Sequence, residues 1–532
     1  MQRQLPVWRD ELYLELHRGC ATSRPDQKRH NRSLERLLRE ADLTRAWLRL
    51  QQPDLPAAPP ADWRPLLFQQ FHDILPGTSI PEVFDQAEPQ WRQARRQACQ
   101  CRDEALQALL PPHDGWWMVQ LQLQAAGPLT LRLPPGHWQL AGVQAALPHQ
   151  SAPGGGVWVQ LAMPAGVAAL PLQRAVSAQP ACADSIQYAV QLAGGDQHWQ
   201  LSNGLVLAEF DPFGLVQLRG ADGVPQLQGP LEWCRWADRG EFWDAWDIAA
   251  NYRDQPLPLQ WQPGPELAEQ GPLCTRLVWR GRCGSSPLRL DVQLRAASPW
   301  LELSLQVDWC QRHELLRLEL PLAQPASRYA ADTPAGVLER PAAPCTGREQ
   351  ARWEVPAVSW VATQAAVGGL AVLLDGPQGV SGEVGRLGVS LLRGPTWPDP
   401  SADRGLQRLR LALMPCAQGW RQQAVPRQAA RFRERLWLRP AKGVQQAPAW
   451  IGFDLGSEAL HLVAFQLVGQ SDEVRITVQN LSPQRQQLRW PEGWSARSEG
   501  ESGLDRSVLA PWQLASWLVS CAAVNPATDQ SS

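Results

Sequence analysis

Several features are missing from this 532-residue sequence. No stretch approaches the roughly 20 consecutive apolar residues of a membrane-spanning helix. The first residues are polar and charged, so no apolar segment of a secretory signal is visible there. The 50 basic and 52 acidic residues nearly balance, which argues against the basic surface that nucleic acid or an anionic membrane requires. We therefore predict neither nucleic acid nor membrane as a partner.

The cysteines show no metal-binding or disulfide pattern. The chain has eleven of them, an odd number, and they are scattered. Cys99 and Cys101 are closer together than the cysteines of a Cys-x-x-Cys motif, and no second pair follows. Scattered, unpaired cysteines are typical of a reducing compartment, so we predict a cytoplasmic protein.

The N-terminal region, residues 1–111, is predicted to be a helical bundle. Apolar residues between Lys28 and Leu50 recur at three- and four-residue spacing, as one buried face of a helix requires. A Pro-rich linker and a second helix over residues 63–71 follow. The residues Ser79-Ile80-Pro81-Glu82 fit a capping box that opens a third helix, which runs to Leu110 with an interruption expected at Pro89.

The remainder of the chain is predicted to be β-structure. From Trp116 onward, apolar and polar residues alternate in short segments bounded by Gly and Pro. We predict a small β-domain over residues 115–180, a large antiparallel β-sandwich over 187–440 and a terminal β-module over 449–522. The length exceeds what one core supports. The predicted fold is thus multi-domain and mostly β, with an N-terminal helical bundle followed by antiparallel β-sandwich domains.

One segment combines a possible metal ligand with a carboxylate. In Gln-Phe-His-Asp-Ile-Leu-Pro-Gly-Thr-Ser, residues 70–79, His72 and Asp73 precede a Pro-Gly turn. Histidine is a common zinc ligand, and a neighbouring Asp can orient the ring or bind a sugar hydroxyl. A histidine near a helix end is more often a capping or core group, so both interpretations remain open from the residues alone.

Together with its flanking residues, this segment resembles the His-Asp signature of glycoside hydrolase family 38, the retaining α-mannosidases. Four further blocks support the resemblance: the Glu-Leu-Tyr-Leu-Glu run of residues 11–15 before His17-Arg18-Gly19, Trp243-Asp244-Ala245-Trp246-Asp247-Ile248, residues 307–309 with 313–316, and residues 391–400 with 402–405. Cys20-Ala21 departs from the pattern, because Thr and an aromatic residue are more usual there. The blocks span residues 5 to about 405.

The resemblance implies roles for five residues. His72 matches the final zinc ligand of the family, and Asp73 matches the neighbour that contacts sugar hydroxyls. Glu15 is implied to lie beside the sugar and aid protonation. From the residues alone, Glu11 and Glu15 are four positions apart and could share a helical face, or they could be two solvated charges. Trp243 could stack on a sugar or fill a core. Arg393 could donate hydrogen bonds to hydroxyls or brace its own loop through Asp399 or Asp403.

The same resemblance shows what is not found. The family mechanism uses zinc, a nucleophilic Asp and a second carboxyl about 5 Å away, and its zinc site needs an early His-x-Asp pair. We find neither that pair nor a nucleophile motif. His113 and Asp114 do not form the pair, because they are adjacent rather than separated by one residue. We therefore expect the C-terminal portion of an α-mannosidase, lacking the N-terminal catalytic β/α domain and inactive alone. Zinc is expected only in a complete site, with a separate N-terminal half as a candidate partner and an α-mannoside or glycan as substrate. The alternative is a non-catalytic carbohydrate-binding or structural β-sandwich protein.

Overall fold

The computed structural model describes residues 7–8, 11–13, 15–52, 60–175, 185–240, 243–416, 418–442, 451–469, 473–499 and 507–521. Within these ranges the helices are α1 (Pro25–Gln51), α2 (Arg64–Gln69), α3 (Pro81–Leu109), α4 (Gly347–Ala351), α5 (Gly419–Gln422) and α6 (Val425–Arg433). Residues 53–59 of the predicted Pro-rich linker, residues 443–448 of a joint predicted near 440–448 and the tail predicted after Ala523 lie outside the described residues.

The strands follow α3 in chain order. The first group is β1 (Trp116–Gln120), β2 (Gly127–Leu133), β3 (Trp138–Leu140), β4 (His149–Ala152), β5 (Gly156–Met163) and β6 (Val167–Arg174). The second group is β7 (Gln191–Gly195), β8 (His198–Ser202), β9 (Val206–Asp211), β10 (Gly214–Gly220), β11 (Glu232–Ala237), β12 (Pro256–Leu257), β13 (Leu259–Trp261), β14 (Glu266–Glu269), β15 (Cys274–Cys283), β16 (Ser286–Arg295), β17 (Leu301–Trp309) and β18 (Glu314–Pro321).

The remaining strands complete the large region and the C-terminal part. They are β19 (Ala326–Thr333), β20 (Gly336–Pro341), β21 (Val355–Pro356), β22 (Trp360–Ala365), β23 (Leu370–Asp375), β24 (Gly379–Glu383), β25 (Arg386–Leu392), β26 (Gly405–Pro415) and β27 (Leu436–Pro440). The C-terminal strands are β28 (Ile451–Phe453), β29 (Leu460–Leu467), β30 (Val474–Asn480), β31 (Gln486–Gln487), β32 (Trp494–Ser498), β33 (Val508–Leu509) and β34 (Leu514–Cys521).

The helical prediction is confirmed for the three long segments. The periodic apolar face of α1 is buried, with Leu34, Leu38 and Ala41 fully enclosed. These side chains share one core cluster with Trp91 and Ala98 of α3. Burial of this stripe, rather than helix propensity, is what stabilises two helices that pack side by side.

Three details of the helical prediction are wrong. The helix α3 begins after Ile80, and no side chain caps it, so Ser79 does not form a capping box. Pro89 lies inside α3 without ending it, because the buried face on either side continues the packing against α1. Residues 15–24 form turns rather than a helix. Glu11 and Glu15 therefore do not share a helical face.

The large β region is built of antiparallel sheets. A ten-stranded sheet runs β13-β15-β16-β17-β26-β23-β22-β19-β20 with β14 attached, and a six-stranded sheet runs β12-β11-β18-β25-β24-β21. Leucines of β17 and β18 meet in one core cluster, which joins the two sheets. The alternating burial of β17 matches its alternating sequence, as a strand with one face on a core requires.

The mostly β composition, the helical start and the antiparallel sheets are confirmed, but one sandwich does not describe residues 187–440. A separate four-stranded sheet, β10-β9-β8-β7, precedes the two large sheets. The strand β27 leaves the region and pairs with β1, in the sheet that also contains β6 and β28. Such pairing over more than 300 residues is decided by packing, because no local pattern encodes it. The predicted domain limits stay a prediction.

Two further observations concern the chain as a whole. Among the described residues, free thiols are found at Cys20, Cys99, Cys101, Cys234, Cys274, Cys283, Cys310, Cys345 and Cys416. None of the described helices combines the length and the apolar character needed to cross a bilayer.

Candidate functional site

A pocket of about 860 Å³ lies where the N-terminal loop, the turn after α2 and the loop after β11 meet. It is lined by residues 16–18, 72–73, 239–240, 243 and 246–251. Three of the five predicted site residues, His72, Asp73 and Trp243, therefore share one cavity, although they are far apart in the sequence. A volume of this size is typical of a small-molecule site.

The turn after α2 orients Asp73 beside His72. The hydroxyl of Thr78 donates a hydrogen bond to Asp73 Oδ1 at 2.8 Å, and the Thr78 amide donates to the Asp73 carbonyl at 3.0 Å. The other carboxylate oxygen, Oδ2, lies 3.5 Å from His72 Nε2. The His72 side chain is 77% exposed. One carboxylate oxygen is thus fixed by the turn, and the other stays beside an accessible imidazole.

Gly77 allows this turn to close against the start of α1. Its φ of +85° lies in the left-handed region, and a Cβ there would stand 2.4 Å from Arg24 Cβ. Lys28 of α1 donates hydrogen bonds to the carbonyl of Pro76 at 2.7 Å and to that of Ser23. Burial lowers the pKa of Lys28 to about 8. The buried ammonium therefore ties the His72 turn to the N-terminal loop.

The N-terminal loop is held against the loop after β11 by backbone contacts. The amide of Gly19 donates to the Trp246 carbonyl at 2.8 Å. The amide of Arg18 donates to Asp247 Oδ1 at 3.0 Å, and its guanidinium lies 3.3 Å from Asp247 Oδ2. These contacts fix one wall of the pocket, where His17 and Leu16 also lie.

Three tryptophans form an aromatic cluster at the pocket. The ring centroids of Trp243 and Trp246 are 5.8 Å apart, and Trp397 lies 5.4 Å from Trp243 and 5.3 Å from Trp246. Trp243 is 61% exposed and Trp397 is 50% exposed. Core tryptophans are covered on both faces, so this cluster offers the kind of accessible aromatic surface on which a sugar ring stacks.

Arg393 lies outside the pocket, contrary to the prediction of a substrate contact. Its side chain is 1% exposed and its guanidinium donates to Asp238 Oδ2 at 2.7 Å. It also donates to the Asp247 carbonyl at 2.5 Å and to Ser23 Oγ at 3.2 Å. With every direction occupied by protein atoms, Arg393 has no free donor for a hydroxyl. Instead it braces both the loop after β11 and the N-terminal loop.

The alternative prediction, that Arg393 braces its loop through Asp399 or Asp403, is only partly right. Asp403 accepts the backbone amides of Arg393 and Gly394, each at 3.0 Å, but Asp238 holds the guanidinium. Asp399 instead pairs with Arg24 at 2.7 Å. Asp399 and Asp403 both follow Arg393 closely in the sequence, whereas Asp238 lies 155 positions earlier, so no feature of the sequence pointed to it.

The two N-terminal carboxylates have different surroundings. Glu15 is exposed, one residue before the pocket residue Leu16. Glu11 instead forms an ion pair with Arg340, with Oε2 2.9 Å from the Arg340 Nε. Glu11 is thus a structural anchor, whereas the role of Glu15 stays a prediction.

The residues present do not form a zinc site by themselves. Structural and catalytic zinc sites need about three or four protein ligands, and His72 with Asp73 supplies two at most. In the described ranges no group of three or more His, Cys, Asp or Glu side chains is arranged to hold a metal. His17 also lines the pocket, but it does not complete such a group.

Some pocket residues were missed by the sequence analysis. Trp246 and Asp247 stood inside a block that was recognised, yet only Trp243 was selected. Trp397 followed Arg393 in another block, and its Pro-rich loop gave no sign that the ring would be exposed. His17 lies in the first block, where a role was predicted for the carboxylate Glu15 and not for the histidine. In each case the only signal was membership of the block, which also contains enclosed residues such as Arg393.

Family comparisons agree with the blocks. The family model "Glycosyl hydrolases family 38 C-terminal domain" matches residues 201–401, and "Alpha mannosidase middle domain" matches residues 15–109. The chain is 28% identical over 495 residues to "Alpha-mannosidase 2C1" of Homo sapiens and 22% identical over 439 residues to "Alpha-mannosidase" of Saccharomyces cerevisiae.

Coverage of these relatives is one-sided. The first match includes 91% of this chain but 45% of the human protein, and the yeast match includes 77% and 36%. The chain therefore spans less than half the length of these curated relatives. Among solved structures, an alpha-mannosidase from Enterococcus faecalis V583 aligns with a TM-score of 0.77 at 14% identity, covering 94% of this chain and 68% of that one. At such low identity this similarity concerns the fold alone.

Proposed function

Because this chain belongs to glycosyl hydrolase family 38, we propose that it is the middle and C-terminal part of a retaining, zinc-dependent α-mannosidase that acts on α-mannosides in glycans. The observation that carries the proposal is the shared pocket of His72, Asp73 and Trp243. The family resemblance had assigned a metal ligand and two sugar contacts to these three residues. If these three residues were ordinary core groups, they would be buried at separate places rather than exposed together at one open cavity.

We propose that the pocket is one side of a complete active site. His72 would supply one member of a zinc ligand set whose other members come from an N-terminal catalytic β/α domain. Asp73 is suited to accept a hydrogen bond from a sugar hydroxyl, because Thr78 occupies one of its oxygens and leaves the other available. Trp243 and Trp397 would cover an apolar face of the sugar.

Exposed apolar side chains at the rim of the pocket support the proposal that another domain covers it. Leu16, Phe71, Trp243 and Trp397 are each at least half exposed, and the Phe71 ring lies 4.1 Å from the His72 ring. Clusters of exposed large apolar side chains mark binding or docking surfaces. A domain that covers this rim would bury the apolar groups and enclose the imidazole in the same step.

The test is hydrolysis of an aryl α-mannoside by the purified chain, alone and mixed with a separately purified polypeptide that carries the family's N-terminal catalytic domain. We expect no turnover from the chain alone and zinc-dependent turnover from the mixture. A robust rate from the chain alone would contradict the proposal that its site is incomplete.

Matched histidine variants identify the ligand. In the mixture, His72→Ala should abolish turnover, while His198→Ala, which removes an exposed imidazole of β8, should leave it unchanged. Equal activity of both variants would rule out His72 as a ligand. Mannoside binding without hydrolysis in every combination would favour the non-catalytic carbohydrate-binding alternative. We also propose a cytoplasmic location, supported by the free thiols, which cell fractionation tests.

A further inference from the structure

A second pocket, of about 480 Å³, lies between α1, the end of α6, the loop after β19 and the C-terminal strand β29. It shares no lining residue with the His72 pocket. Charged side chains from four parts of the chain meet there, namely Arg32, Glu35, Arg36, Arg39, Asp332, Arg433, Glu434 and His461. The four arginines are the unusual feature, because arginines that converge on one cavity repel one another unless anions separate them.

Most of the carboxylates near this cavity are already engaged. Glu434 Oε1 lies 3.1 Å from Arg39, and Arg32 is paired with Asp375. Asp332 accepts the amides of residues 358–360 at 2.8–3.1 Å. Burial raises the pKa of Asp332, which further reduces its value as a counter-charge.

Arg36 is only weakly compensated. Its Nε lies 3.5 Å from Glu40 Oε1, beyond hydrogen-bond geometry, and this buried nitrogen has no hydrogen-bond partner. The other oxygen of Glu40 is bound at 2.8 Å by Arg102. One carboxylate is thus shared between two guanidinium groups.

Arg433 is the clearest surplus cation. It lines the cavity, and within the described residues its guanidinium has neither a hydrogen bond nor a carboxylate within 4.0 Å. Burial lowers the pKa of Arg433, and the nearest carboxylates only partly offset this. Glu35, on the opposite wall, is one of these carboxylates, but it forms no ion pair with Arg433.

We propose that this cavity binds a phosphate group, either free or carried on a small sugar. Guanidinium groups bind tetrahedral oxyanions through paired N–H donors. The Arg433 guanidinium has no hydrogen bond to the described residues, and beside it Arg36 is held by a donation to the Arg433 carbonyl at 3.4 Å, which places two cationic groups at the cavity. Trp512 lines the same cavity and offers an apolar face for a sugar ring. The volume fits a hexose phosphate.

Thermal unfolding with increasing inorganic phosphate tests the site, with sodium chloride at matched ionic strength as the control. Glucose 6-phosphate and glucose form the second arm. We expect saturable stabilisation by phosphate, because a ligand that binds the folded state raises the melting temperature. Tighter binding of glucose 6-phosphate would assign a sugar-borne phosphate, and equal binding a free one. A response no larger than that to chloride would overturn the proposal.

Two substitutions with opposite expected signs locate the site. Arg433→Gln should weaken phosphate binding at least about tenfold, since a charge-assisted hydrogen bond is lost. Glu35→Gln should strengthen it several-fold, because it removes a carboxylate that repels the anion. Arg404→Gln is the control, as Arg404 is exposed and does not line this cavity. Unchanged binding by Arg433→Gln, or weaker binding by Glu35→Gln, would contradict the assignment.

Discussion

Replacing the buried guanidinium of Arg393 should have a large effect on stability. Arg393 and Asp238 are each 1% exposed, and their charged groups approach to 2.6 Å. In Arg393→Met the side chain keeps much of its volume, but the carboxylate of Asp238 loses its cation. Removal of one partner from a buried pair costs about 3–5 kcal/mol, because the remaining charge has neither water nor a counter-ion.

The expected magnitude follows from what Asp238 retains. Its Oδ1 still accepts the Ala249 amide at 2.8 Å, which offsets part of the loss, so we expect the free energy of unfolding to fall by about 3 kcal/mol. The double variant Arg393→Met with Asp238→Asn should recover a large share of this loss. It removes the isolated charge, and contacting residues commonly couple by about 0.5–3 kcal/mol.

Guanidinium unfolding followed by tryptophan fluorescence measures the effect on the transition that includes the large sheets. Arg404→Met serves as control, because Arg404 lies in the same loop between β25 and β26 but is exposed, and we expect a change within about 0.5 kcal/mol. If Arg393→Met lost less than about 1 kcal/mol, or if the double variant were as unstable as the single one, the bracing role assigned to Arg393 would be refuted.

Three other predictions concern the neighbouring sites. Gly19→Ala should cost about 1–3 kcal/mol, because its Cβ would stand 2.1 Å from a guanidinium nitrogen of Arg393, while Gly195→Ala, where a Cβ meets nothing within 4 Å, should be tolerated in the same unfolding assay. Burial, followed by nearby arginines, lowers the pKa of His461 from 6.5 to about 4. As the pH falls, the unfolded chain therefore takes up a proton at His461 before the folded chain does, and the free energy of unfolding should drop by up to about 3 kcal/mol between pH 6.5 and 4. In urea unfolding, His461→Gln should lose this pH dependence. A pH profile unchanged by the substitution would contradict the assignment to His461. Calorimetric zinc titration of the chain alone should show no tight one-to-one binding, and sub-micromolar binding that requires His72 would disprove the incomplete ligand set.

Local patterns predicted the elements well where one face of an element is buried. The three- and four-residue spacing in α1 and the alternation in β16 and β17 come from a single periodic contact with a core. Such periodic patterns do not extend to residues 15–24. There the chain is held by hydrogen bonds to residues 245–247 rather than by its own helix, and no period reports such partners.

The candidate site was predictable only in part. The blocks around His72 and Trp243 contain residues from two walls of the pocket, so the sequence alone pointed to both. Arg393 was misassigned because an arginine in a functional block reads the same whether it faces a ligand or a buried carboxylate. Its partner, Asp238, is 155 positions earlier in the sequence, so only the folded chain brings the two together.

By itself, the sequence determined the family, the helical start, the strand-rich remainder and the presence of a histidine–aspartate pair at a turn, because each is encoded by neighbouring residues. The tertiary structure alone decided that Trp397 is exposed, that Arg393 is enclosed and that the arginines of α1 and α6 meet at one cavity. These outcomes depend on contacts between segments that are distant in the sequence. There, burial and the distance between charges determine the interaction energy, and neither quantity can be read from the order of neighbouring residues.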